Sequence, residues 1–408
     1  MKLNREEKSW VLYDVANSAF TMLTATTIPI LFRYLAEEGG VESADATGWW
    51  GAVTSAAVIL TAVLAPLLGT VADSRGMKKK LFAAFLGVGL AGLCAMSAAS
   101  HWVAYMLLFL VARVGYAAAN VFYDSMITDV CADERMDMLS SLGYAWGYIG
   151  SCVPFLVSIA LVMFEPFGLG TVSAVQAGFL VTALWWGLLS IPLLRRVKQR
   201  YGADRRTDGF FGAFSRVFTT MKKLKGQKRI LYFILAYFCY IDGVYTIISM
   251  ATTYGGELGI SDTGMILALL LTQFVAFPFA ILSGRLAGCF GALAMIRFFI
   301  FLYTGICVFG FFLQYEWQFW VLAAAVGLAQ GGVQSLSRSY FGRIIPKEES
   351  NEYFGFFDIF GKFADFLGPL ILSFCAFAFG SSRYGILALI LLFAAGYLLL
   401  RAVPDAER

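Results

Sequence analysis

Long apolar runs recur along the whole chain, separated by short charged or glycine-rich turns. Each run reaches about twenty residues, the length at which an α-helix crosses the hydrocarbon core of a bilayer. The pattern predicts spans over 10–36, 48–72, 81–99, 102–128, 138–163 and 173–194, then 229–253, 262–284, 292–314, 318–343, 353–379 and 383–401. A membrane barrel would show short strands of alternating polarity instead. The chain reads as an all-α polytopic membrane protein.

Composition supports that pattern. The 408 residues are 59% hydrophobic and 14% charged, whereas soluble domains carry roughly a quarter charged residues. Twelve spans leave little chain for a separate soluble domain. The seven cysteines form no CxxC pair and fall mostly within spans, which argues against a disulfide framework or a metal site. No cleavable signal is read at the start; MKLNREEK leads directly into the first span, as in a helix that serves as its own insertion signal.

Charge placement sets orientation. Lys2, Arg5, Lys8, Arg75, Lys78, Lys79, Lys80, Arg343, Lys347, Arg401 and Arg408 fall on one side, with the segment between spans six and seven. The other side has Arg33 and Arg383 among acidic loops. Cytoplasmic loops hold the excess of Lys and Arg, so both termini are expected in the cytoplasm. The segment 195–228 is strongly basic, and Phe210, Phe214, Val217, Phe218, Met221 and Leu224 recur at helical spacing. It reads as a basic amphipathic helix on the inner membrane surface, as a plain linker, or as both. Nucleic acid is not expected as a partner, since orientation already explains the charge.

The two sides of that linker resemble each other. VGYAAANVFYDSMITDVCADER in span four aligns with VGLAQGGVQSLSRSYFGRIIPKEE in span ten, and GYIGSCVPFLVS in span five with GKFADFLGPLILS in span eleven. Asp14 has a looser counterpart in Asp242. The organisation expected is a six-helix half over 1–194, a linker over 195–228 and a second half over 229–408. Two pseudo-symmetric halves indicate a transporter with its substrate site at the repeat interface near the bilayer midplane.

Charged residues inside spans cost about 2.5–3.5 kcal/mol each at a helix centre, so they must pair or line water. Depth sorts them. Arg113 lies about 16 Å along span four from Trp102, close to the midplane. Asp242, Asp365, Gln273 and Gln330 reach similar depth, and Asn120 shares a face with Arg113. An arginine can hold a carboxylate bidentately, while Asp242 or Asp365 offers a place for an ammonium group. A zwitterion would fit, and so would a direct Arg113–aspartate salt bridge. Asp358, Lys362 and Asp365 share one face of span eleven, so Asp358 and Lys362 can also neutralise each other. Asn17 and Tyr148 are further candidates for a polar lining, although tyrosines here are mostly packing by base rate.

Asp14, Asp124, Arg338 and Asp358 lie nearer the inner face. They read either as an inner gate or as static pairs that hold helices together. Asp129 and the CADERMD turn are expected as cytoplasmic loop. His101 is too superficial for a central proton carrier, leaving Asp242 and Asp365 as proton-coupling candidates, with sodium as the alternative ion. Nothing resembles an ATP-binding loop, so a gradient must supply the energy and no cofactor is implied.

Span two ends APLLGTVADSRGMKKKL. Gly69, Asp73, Arg75 and Gly76 in this order resemble the loop 2–3 motif of the major facilitator superfamily, although Ser74 separates the acid from the arginine. The corresponding stretch SGRLAGCFGAL has Gly288 where Asp73 would stand, so any latch built on it is asymmetric. WVLYDVANSAF (10–20), YDSMITDVCADERMDMLSSLGYAWGYIGS (123–151) and YFGFFDIFGKFADFLGPL (353–370) resemble a narrower group, the vacuole-effluxer-like branch related to the autophagy amino-acid effluxer. That resemblance implies the major facilitator fold and amino-acid movement by alternating access, with export as its direction. A monomer in a prokaryotic plasma membrane is expected. A sugar, peptide or drug carrier is the rival within transport. A non-transporting receptor is the rival outside it. An enzyme is disfavoured, because no nucleophile with a base and no metal spacing is present.

Overall fold

The computed structural model describes residues 2–164, 168, 170–202, 219–220, 222–257, 259–379, 381 and 383–404, with the side chains of 44, 252–253, 262–263, 266, 363–366, 373 and 376 outside the description. The apolar face proposed for the linker, Phe210 to Met221, therefore lies outside the described residues. Among the described residues, twelve helical segments are long and apolar enough to cross a membrane.

Span one is two helices rather than one. Asn4 caps Arg5–Ala25 through a reciprocal bond with Glu7, and the chain breaks at Thr26 before Thr27–Glu38 begins. Pro29 explains the break. It has no N–H to extend the first helix, yet is tolerated in the first turn of a new one. Spans two and three are Ser43–Ala72 and Met77–Met96, joined through Gly76 at φ 76°. Span four, Trp102–Ser125, restarts as the short helix Ile127–Val130. Spans five and six are Met136–Phe164 and Thr171–Arg196. Spans seven to twelve are Lys228–Glu257, Asp262–Phe290, Ala292–Phe311, Glu316–Ile344, Ser350–Phe379 and Arg383–Arg401. Span eight runs six residues beyond the predicted 284, because Arg285 does not stop the helix and Gly291 at φ 84° does.

Contacts divide the chain into two compact units. The first comprises Met1–Val130, Trp146–Ala213 and Glu348–Gly355, and the second Cys131–Ala145, Phe214–Lys347 and Phe356–Arg408. The inner ends of spans five and eleven are thus exchanged relative to the sequence halves. Within the first unit span three packs on four, one on six, two on four and three on six. Within the second, nine packs on ten, seven on twelve, eight on ten and nine on twelve. Adding six to each number turns the first set into the second, so the sequence repeat is also a repeat of packing.

Glycines allow the close approaches. A Cβ on Gly115 would come 2.7 Å from the Gly89 Cα, and one on Gly92 would come 2.9 Å from the Ala112 Cα. Without a hydrophobic driving force between helices in lipid, such backbone contact is a main source of their association. Gly115→Val is expected to cost about 1–3 kcal/mol by overpacking and to lower the melting temperature in detergent. Gly87→Val is the control, since a Cβ there meets nothing within 4 Å. Equal melting temperatures for the two variants would count against this packing.

Candidate functional site

In the first unit, spans one and four present a polar strip to each other. Asn17 donates its amide N–H to Asn120 Oδ1 at 2.9 Å, and the hydroxyls of Thr21 and Tyr116 lie 2.6 Å apart. Arg113, Tyr116 and Asn120 recur at helical spacing, which places them on one face. The Arg113 guanidinium sits 5.8 Å from the Tyr116 ring centroid. It is half-buried and meets no carboxylate among the described residues. The direct Arg113–aspartate bridge left open by the sequence is therefore not formed with any described acid. Asp14 is buried on the same helix as Asn17, and its backbone carbonyl accepts the Ser18 hydroxyl at 2.7 Å. Tyr148 is buried, and Asp124 is half-buried at the inner end of span four.

The second unit holds the remaining midplane candidates. Gln273 and Gln330 line one cavity of about 90 Å³, together with Thr246, Tyr254 and a largely apolar wall. Asp242 is fully buried, and its Oδ1 accepts the backbone N–H of Gly368 at 2.9 Å. This bond engages one oxygen of the Asp242 carboxylate. Lys362 pairs with Asp358 one turn away, the self-neutralising arrangement, so Asp358 closes no gap between helices through this pair. The Asp365 side chain lies outside the described residues.

The inner face carries a dense polar hub in each unit. In the first, Asp73 accepts the backbone N–H groups of Asn351 and Glu352 at 2.9 and 3.1 Å and the Asn351 side-chain amide at 2.7 Å. Gly69 makes room, since a Cβ there would come 2.5 Å from the Asn351 carbonyl oxygen. Lys78 pairs with Asp129 at 2.6 Å with both side chains essentially inaccessible, and also donates to the Ser350 hydroxyl. Ser125 bonds Asn351 at 2.5 Å. The chain leaving span six closes over this hub. Gln199 accepts the Gly76 N–H at 2.9 Å, and the Arg200 and Tyr201 N–H groups reach Asp129 Oδ1 at 2.8 and 3.0 Å. Arg75 is exposed, as befits a residue on the turn.

In the second unit the hub is built on Arg338, Arg343 and Lys347 with serine and aspartate partners. Arg338 donates to the Ser140 hydroxyl and carbonyl at 2.9 and 3.2 Å and lies 4.4 Å from the Tyr144 ring centroid. Arg343 and Lys347 pair with Asp137 and Asp133 at 2.5 and 2.7 Å. Gly284 lets span eight approach Ser141, whose hydroxyl would lie 2.7 Å from a Cβ there. Glycine at 288 leaves no acid to repeat Asp73, and the two hubs are chemically unlike.

A family model described as "Vacuole effluxer Atg22 like" matches residues 43–408. The chain belongs to this Atg22-like family. It is 40% identical to the "Uncharacterized MFS-type transporter YxiO" of Bacillus subtilis (strain 168), over 99% of this chain and 96% of that protein. It is 25% identical to "Autophagy-related protein 22" of Yarrowia lipolytica, in a match that covers 57% of this chain and 44% of the fungal protein. The human organic anion transporter MFSD10 has the same fold, with a TM-score of 0.77 at 14% identity over 97% of this chain and 99% of that one. The Atg22-like chain is thus a transporter of the major facilitator type and not an enzyme.

Sequence reasoning missed Asp129, which is buried at 1% exposure rather than sitting in an open loop. The available signal was Lys78, a cation in a run expected at the same face, which must find an acid once its helix is buried. It also missed Asn351 and Gln199, because polar residues that bond distant backbone leave no local pattern.

Burial pushes the Asp73 carboxyl up from 3.8 to about 7, against the opposing pull of Lys78 and the Asn351 and Glu352 hydrogen bonds. A carboxyl raised in this way favours the folded state at low pH, and that contribution is lost as pH rises through about 7. The melting temperature of the native protein, taken relative to Asp73→Asn, is expected to fall between pH 4 and pH 7.5. A flat difference across that range would show that Asp73 does not titrate there.

Proposed function

We propose that this Atg22-like protein is a gradient-driven exporter of small carboxylate-bearing solutes, with amino acids the first class to test. The observation that carries the reading is Arg113, a midplane guanidinium beside Tyr116 with no acidic partner among the described residues. A cation there costs about 2.5–3.5 kcal/mol on insertion scales. A bound carboxylate offsets that cost through paired N–H···O bonds. Asn17, Thr21, Tyr116 and Asn120 supply neutral polar groups beside it. The family description, an effluxer, supports export, and the sequence resemblance supports amino acids. The bacterial relative supports a prokaryotic membrane, and the basic loops support cytoplasmic termini.

The purified full-length protein, reconstituted in liposomes, tests this by flux measurements with amino acids and with their amide or alcohol analogues. Losing hydrogen bonds to a charged group costs about 1.5–3 kcal/mol, or roughly ten- to a hundred-fold in kcat/KM. Arg113→Gln is expected to lose that much towards carboxylates and little towards the neutral analogues, with Arg113→Lys in between. Unchanged carboxylate flux in Arg113→Gln would overturn the assignment.

A further inference from the structure

Span eleven is held by carboxylates at two heights, and in both places they bind its backbone. At its inner end Asp73 takes the N–H groups of Asn351 and Glu352. In its middle Asp242 of span seven takes the N–H of Gly368. The second hold is unusual, because a mid-helix N–H ordinarily belongs to the carbonyl four residues earlier.

The local sequence weakens the helix at this point. Pro369 lies inside the helix. It lacks an N–H, its ring clashes with the carbonyl four residues before it, and it disfavours helical geometry at the preceding residue. The carbonyl of residue 365 therefore has no N–H at residue 369 to accept from, and the backbone ladder is interrupted beside Gly368. Gly368 also makes the closest approach between spans seven and eleven, since a Cβ there would overlap the Thr246 hydroxyl. The carboxylate that meets the Gly368 N–H stands one turn before Thr246 on the same face of span seven.

The repeat supplies a control within the molecule. Span five also carries a proline, Pro154, which the sequence repeat aligns with Pro369. The residue before it is Val153, a non-glycine residue that is 45% exposed. The bond from a buried acid to the residue before the proline is seen in the C-terminal half, between Asp242 and Gly368.

We propose that Asp242 is a positioning residue that pins span eleven at the Gly368–Pro369 turn. Through that pin it sets the pivot about which the inner and outer parts of the helix move during transport. The pin needs an oxygen acceptor at the Asp242 position and a bare backbone at Gly368. It does not depend on which solute is carried. The role is distinct from carrying a coupling proton, which would need the ionisable group itself.

Three variants of the full-length protein in lipid nanodiscs or liposomes test this. Asp242→Asn keeps an acceptor oxygen, Asp242→Ala removes it, and Gly368→Ala forces the backbone away from it. Amide hydrogen exchange over 367–372 is expected to rise at least ten-fold in Asp242→Ala and Gly368→Ala and to stay within about two-fold of native in Asp242→Asn. Gradient-driven flux is expected to follow the same order, through kcat with KM unchanged, and Asp242→Asn should keep the native pH profile. Asp242→Asn behaving like Asp242→Ala would overturn the pin in favour of a role for the charge. Native exchange in Gly368→Ala would overturn it as well. The exchange measurement needs no substrate, so its outcome stands apart from the fate of the carboxylate reading of Arg113. If Asp242→Ala does not fold, the other two variants decide.

Discussion

A backbone N–H in lipid has no water to turn to, and an unpaired one costs several kcal/mol. Helices leave that demand unmet in their first turns, and this chain places buried acids on backbone N–H groups there and at two other points. Asp73 meets the first turn of span eleven, Asp242 the turn before Pro369, and Asp129 the extended chain after span six. The buried charges are tolerable because each is hydrogen-bonded. The remaining architecture fits around these contacts, with Gly69 and Gly368 clearing the way for the backbone to reach two of the acids.

The two inner hubs show how one repeated scaffold can carry different chemistry. Packing between spans repeats with an offset of six, yet one hub has a carboxyl that titrates near neutrality while the other has Arg338, Arg343 and Lys347. Arginine keeps its charge at any physiological pH. The two hubs therefore differ in what they respond to, one to proton concentration and the other to conditions that screen ion pairs, such as salt. The alignment of Gly288 with Asp73 already marks this difference in the sequence.

Much of the fold was legible because lipid leaves few choices. Hydrophobic run length gave the helices, and the loop cations gave the orientation expected of them. The break at Thr26 was hidden, since Pro29 lies within an uninterrupted apolar run. The site was legible only in part. Arg113, Asn17 and Asn120 stood out because polar residues are costly at midplane, and the last two do meet. Asp242 was found for that reason but read by its charge, whereas its partner is a peptide N–H, which no sequence pattern announces. Asp129 was misread as loop because hydropathy measures the helix around a residue and not the neighbours that a tertiary turn brings to it.

The exchanged segment Glu348–Gly355 also bears on how the protein is made. Asp73 and Asn351 are 278 residues apart in the chain, and Lys78 and Ser350 are 272 apart. At the ribosome the first ten spans must therefore enter the membrane before the N-terminal hub receives its last hydrogen bonds. Until then Asp73 must be hydrated or protonated, and the nascent inner face stays incomplete through most of synthesis. A nascent chain stalled before residue 350 would lack the partners that Asp73 and Lys78 find at the start of span eleven.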